Sequence, residues 1–103
     1  MIPSDTRLAL MDRASDLLSA KQISVATHSL FIRHVRRHDI DVREWHSCAD
    51  LAATGSLTHH QARSAAGQLV AAALLDRRVH TRRGRGDKQV VKYRLLLAEG
   101  AGQ

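Results

Sequence analysis

The sequence predicts an α+β fold, mostly helical, and three observations carry that reading. Apolar residues recur at helical spacing through most of residues 4–73. After Leu74-Leu75 the period shortens to that of a strand. The alternating stretch that follows is split by Gly84-Arg85-Gly86-Asp87, a turn signal that closes it into a β-hairpin. The 103 residues suffice for one compact domain and not for two. With a single Trp, Tyr and Phe, the core must come from Leu, Val, Ile and Ala.

Each element has its own signal. Ser4, after Pro3, is the expected N-cap of a first helix, with Leu8, Met11, Ala14, Leu17 and Leu18 at helical spacing up to about Ala20. Lys21 to Ser24 reads as a connector. A second helix is expected from Val25 to about His38; turning about 100° per residue puts Thr27, Leu30, Phe31, His34, Val35 and His38 on an inner side and Arg33, Arg36 and Arg37 opposite. Asp39 to Trp45 alternates polar and apolar, as a brief strand would. Ser47-Cys48-Ala49-Asp50 matches a capping box, and the short helix it starts should stop near Thr54-Gly55. Thr58 is the next N-cap, followed by a narrow stripe of Ala62, Ala66, Leu69, Val70 and Ala73 up to residue 73. Val79 and Thr81, then Val91, Tyr93 and Leu95, mark the hairpin over about 79–95. In domain terms, residues 1–24 form an N-terminal helix able to dimerise, 25–97 the core and hairpin, and 98–103 a frayed tail.

Charge narrows the function. The formal charge of +6 is not spread evenly: residues 1–57 carry seven Lys+Arg against seven Asp+Glu, and residues 58–103 carry nine against three. Concentrated positive charge is what a chain presents to a polyanion. Arg outnumbers Lys thirteen to three, and Arg suits bidentate phosphate and guanine contacts. The lone Cys48 permits no internal disulfide, as in a reducing compartment. The opening MIPSDTRLALMDR lacks the pattern of an export signal, and no apolar run approaches the roughly 20 residues of a membrane helix. A cytoplasmic, nucleoid-associated protein without membrane partners is therefore expected.

The C-terminal half orders a short helix, a tight turn, a longer helix and a two-stranded hairpin. A helix has the right width for the major groove of B-DNA, and a hairpin beside it can reach the neighbouring backbone or minor groove. On the 58–73 helix, His60, Ser64, Gly67 and Ala71 lie opposite the apolar stripe, flanked by Gln61, Gln68 and Arg63. The expected DNA contacts are Thr58, His59, His60, Gln61, Arg63, Ser64 and Gln68 from this helix. Arg82, Arg83, Arg85 and Lys88 are expected to add contacts from the hairpin, with Arg85 at its tip. Gln pairs bidentately with adenine and Arg with guanine. Gly67 either admits a close backbone approach, or packs beneath another element or is merely tolerated.

Leu51-Ala52-Ala53-Thr54-Gly55-Ser56-Leu57-Thr58, followed by Ala62, Ala66, Leu69 and Leu74-Leu75, resembles the winged helix-turn-helix pattern of many bacterial transcription regulators. The resemblance covers residues 50–96, about half the chain. Ser56 is an extra residue in the turn, Ala62 and Ala66 stand where larger apolar residues are usual, and Ala73 replaces a common Gly. These departures leave the subfamily open. The resemblance implies a winged helix-turn-helix with an N-terminal helical scaffold and a C-terminal hairpin wing, binding double-stranded DNA specifically as a transcriptional repressor or autoregulator. A homodimer through Leu8, Met11, Leu17 and Leu18 would double the DNA site.

Other readings weigh against this one. A plasmid or phage replication, partition or transfer factor would use the same parts, as would a protein-interaction adaptor, although an adaptor does not need the concentrated positive charge. RNA single strands call for exposed aromatics that the chain lacks. No cofactor is expected. His34, His38, His46 and Cys48 could together form a zinc site, but the spacing is loose. No phosphate-binding glycine loop, nucleophile elbow or HExxH motif is present, so the chain is not expected to be an enzyme.

Overall fold

In a computed structural model the chain forms α1 (Ser4–Ser19), α2 (Val25–Val35), β1 (His46–Ser47), α3 (Cys48–Gly55), α4 (His59–Ala71), β2 (Leu75–Arg82) and β3 (Lys88–Leu95). The structure describes residues 2–82, 86 and 88–97. It is α+β and mostly helical: four helices and one antiparallel sheet of order β1-β3-β2. The expected tail, 98–103, lies outside the described residues.

All four helices and the hairpin contribute to one apolar core. Leu10 and Ala14 of α1, Leu30, Phe31 and Val35 of α2, Leu51 of α3, Ala65, Ala66 and Leu69 of α4, Leu75 of β2, and Tyr93 and Leu95 of β3 are all buried in it. Phe31 is 1% exposed and is the largest side chain so enclosed. The alanines on the inner side of α4 let its backbone come close to its neighbours. Ala65 joins Ala62 and Ala66 there, a residue the stripe did not include. On α1 the buried residue is Leu10 rather than Leu8, which stands 55% exposed, while Met11 and Leu17 pack partly against the core.

Several boundaries differ from those expected, each for a local reason. Ser4 is already helical; Pro3, fixed near φ −59°, is the cap, and its carbonyl accepts from Arg7 N–H at 3.0 Å. α2 stops at Val35, so His38 leaves the inner stripe and is exposed, bonded to Arg7 at 3.2 Å. Arg37 does not join a basic outer face. It turns back to grip Asp39 through two bonds, Asp50 at 3.0 Å and Thr54 at 2.8 Å. Residues 39–45 are turns and bends, not a strand. Arg43 there clamps the Asp41 carboxylate, which its bonds hold down at about 2. Pairing begins only at His46–Ser47, which lie opposite Tyr93 and Lys92.

Helix ends follow one pattern. In α1, α3 and α4 the chain exits through a left-handed residue: Lys21 at φ 60°, Ser56 at 54° and Ala73 at 61°. Each time the next N–H bonds five residues back: Gln22 to Leu17 O, Leu57 to Ala52 O and Leu74 to Leu69 O, all at 2.9 Å. These are Schellman motifs, which usually place glycine at the left-handed position. Gly55, expected to be that terminator, is instead the last residue of α3. A Cβ on it would stand 2.9 Å from Leu30 Cδ1, so its role is the close crossing of α3 over α2. α4 accordingly ends at Ala71, and β2 begins at Leu75, four residues before the expected hairpin.

Candidate nucleic-acid interface

α3 and α4 are joined by the three residues Ser56, Leu57 and Thr58. Both helices are capped where they start. Ser47 Oγ accepts from Asp50 N–H at 3.1 Å, but the Asp50 carboxylate does not return to Ser47. It is held by Arg37 and by His46 Nδ1, both at 3.0 Å. The reciprocal capping box sits one helix later. Thr58 Oγ1 accepts from Gln61 N–H at 3.1 Å, and Gln61 Oε1 accepts from Thr58 N–H at 2.9 Å.

α4 therefore has four distinct sides. One is buried in the core. The side opposite carries His60, Ser64 and Ala71, all exposed. One flank is tied down: Gln68 Oε1 accepts from Ser24 N–H at 2.9 Å, and Arg13 donates to the carbonyl of Ala72 at 3.1 Å. These bonds tie α4 to the α1–α2 connector and to α1. The other flank, His59, Arg63, Gly67 and Val70, forms one wall of a groove of about 790 Å³.

The opposite wall is the inner face of the hairpin. Register pairs Arg77 with Tyr93, Val79 with Val91 and Thr81 with Gln89, and Arg77, Gln89, Val91 and Tyr93 line the groove. Arg63 donates to His59 Nε2 at 3.4 Å. Among the described residues, neither Arg63 nor Arg77 forms an ion pair, so the groove is cationic on both walls. A Cβ on Gly67 would meet nothing within 4 Å. Packing beneath another element does not explain it.

The expected contacts are thus dispersed over α4. Thr58 and Gln61 cap it, His59 and Arg63 turn toward the groove, His60 and Ser64 point outward, and Gln68 is spent on the connector. Of the hairpin residues, Arg82 and Lys88 pair in register where β2 ends and β3 begins, and Arg83 and Arg85 lie outside the described residues. Gly86 adopts φ +71°, the left-handed turn conformation glycine favours. Arg77 and Gln89 were not foreseen. Counting back by twos from Val79 would have placed Arg77 on the inner face, had the strand been started at Leu75.

The four candidate metal ligands do not assemble. Among the described residues no three His, Cys, Asp or Glu side chains are grouped to hold a metal ion. His34 and His46 touch edge to face, 4.9 Å between centroids, but His46 is already bonded to Asp50 and to the carbonyl of Asp41. Cys48 lies in the groove, its thiol donating to His59 O at 3.6 Å, and burial pushes its pKa up. His38 is on the far side of α2 beside Arg7. Among the described residues no helix is long and apolar enough to cross a membrane. No protein-family model, curated protein or solved structure matches the chain.

Proposed function

We propose that the chain binds double-stranded DNA as a winged helix-turn-helix and serves as a regulator of transcription. In this reading α4 enters the major groove with His60 and Ser64 toward base edges, and β2–β3 is the wing. One observation supports the reading above others: a capped helix with an exposed outer side stands beside an antiparallel hairpin, and Arg63 and Arg77 face the groove between them with no acidic partner among the described residues. Such a surface offers donors to bases and unpaired guanidinium groups to phosphates at once. The cap itself leaves further N–H groups of the first turn of α4 pointing toward an approaching anion.

The test is fluorescence anisotropy with a labelled random-sequence duplex at two salt concentrations. Wild type should bind and weaken steeply with salt, because neutralising phosphates releases counterions. Arg63→Ala and an Arg82/Arg83/Arg85→Ala triple variant should each weaken binding by about tenfold or more. No binding at low salt overturns the reading and redirects attention to a protein partner.

A further inference from the structure

β2 and β3 have a second face, turned away from α4. Successive strand residues point to opposite sides. Hence the row Asp76–Arg94, Arg78–Lys92 and His80–Val90, each pair directly opposite in register, lies on the outer side. Trp45, from the segment leading into β1, lies against this row. The Arg78 guanidinium is 5.0 Å and that of Arg94 4.6 Å from an indole ring centroid, and His80 meets the indole edge-on at 5.4 Å.

Three consequences follow from that arrangement. A cation–π contact holds a guanidinium by its flat face and uses none of its five N–H donors. Arg94 has only Asp76, at 3.9 Å, and Arg78 has no ion pair among the described residues. Fixed guanidinium groups with free edges suit the planar, bidentate recognition of phosphate. The one large apolar group of the face, Trp45, is already overlaid by Arg78, Arg94 and His80, so the face offers donors rather than apolar area. Trp and Arg also occur in protein interfaces, but the centres of those are depleted of Lys and of net charge, whereas here Lys92 faces Arg78 directly. Finally, Arg78 and Lys92 stand directly opposite each other, a like-charge pair that disfavours the hairpin by itself and that an intervening anion would relieve.

We propose that this outer face, Trp45 with Arg78, Lys92 and Arg94, binds the phosphate backbone of a second DNA duplex, so that one chain joins two duplexes. The proposal rests on the DNA-binding reading of α4. The two surfaces lie on opposite sides of the hairpin, and duplex DNA is stiff over about 150 base pairs. A straight duplex seated along α4 therefore does not reach round to Trp45.

The experiment immobilises one biotinylated duplex on beads and measures protein-dependent capture of a second, fluorescent duplex, beside single-duplex anisotropy. Wild type should capture the second duplex. An Arg78→Gln/Lys92→Gln variant should lose capture by about tenfold while single-duplex affinity stays within about threefold. Lys92→Gln alone, which leaves the Trp45 stack untouched, should shift capture in the same direction. The inference is overturned if wild type binds one duplex but captures no second. It is overturned equally if the double variant bridges as well as wild type, since two chains with one site each would then do the joining. Parallel loss of both activities assigns the face to the first footprint and also overturns it. Absence of all duplex binding overturns the DNA reading and this inference together.

Discussion

At the scale of single residues, backbone conformation and burial decide what the sequence pattern leaves ambiguous. Ala73 holds a left-handed conformation that costs an L-residue about 1–2 kcal/mol. Glycine would remove that strain but adds unfolded-chain entropy, so Ala73→Gly should stabilise by about 0.5–1 kcal/mol in urea unfolding. Ala71→Gly, two residues earlier on the exposed side of α4, should destabilise by about 1 kcal/mol and serves as the control. Gly55 was legible as a punctuation mark but not for its true reason, because the approach of Leu30 is a tertiary fact that no local pattern records. His34 gives a second test. It is 2% exposed, its Nδ1 has no hydrogen-bond partner among the described residues, and burial, with His46 and Arg37 nearby, pushes its pKa down to about 4. Between that value and the ordinary 6.5, the unfolded chain takes up a proton that the folded chain refuses. Stability contributed by the neutral ring is complete above 6.5 and falls as pH drops toward 4, by about 3 kcal/mol in all. Urea midpoints measured through this window should fall in wild type and stay nearly level in His34→Gln. Asp39 and Asp41, which their arginine partners hold below the ordinary carboxylate range, lose their own stabilisation only as pH falls through the unfolded value of 3.8, at the lower edge of this window.

At the scale of elements, local signals located the helices and the hairpin, and long-range bonds decided where they end. The helical period runs on to His38, yet α2 stops at Val35 because Arg37 finds Asp50 and Thr54 on α3, contacts thirteen and seventeen residues away. The same carboxylate takes His46, which draws Asp50 away from the capping box its spacing announces. β1 is only two residues long and exists because β3 offers a free edge, so alternation within 39–45 could not reveal it. The Arg37 side chain is 19% exposed and its pKa is raised, first by the bond to Asp39. Arg37→Gln should therefore loosen the α2–α3 junction by about 1 kcal/mol, after allowance for solvent screening. Arg43→Gln, which breaks only an exposed local clamp with Asp41, should leave the unfolding midpoint unchanged. Equal losses from the two variants would refute the view that Arg37 ties these helices together.

At the scale of the whole molecule, the charge asymmetry was legible from residue counts alone, but its arrangement was not. Composition places the excess in residues 58–103. Only the sheet register divides it between an inner face, with Arg77 toward α4, and an outer face, with Arg78 beside Lys92 and Arg94. On both faces described cations outnumber acids, and Arg78 and Lys92 repel each other across the ladder. In the free protein this repulsion opposes folding, whereas attraction in the Arg37–Asp50 junction favours it. The junction is short-ranged and part-buried, so added salt screens it less than it screens the exposed hairpin cations. The free protein should accordingly become more stable as salt rises from about 0.05 to 0.3 M, where the screening length shortens from about 14 to 6 Å. Over the same range, the proposed affinity for duplex DNA should fall, with a slope near −0.9 for each phosphate neutralised. Melting temperature and anisotropy followed in the same buffers should thus move in opposite directions. Arg78→Gln should flatten the rise in melting temperature, because it removes one member of the facing pair. A melting temperature that falls with salt would mean that attractive pairs dominate the free fold, and the hairpin would then not be held in a conformation that an anion relieves.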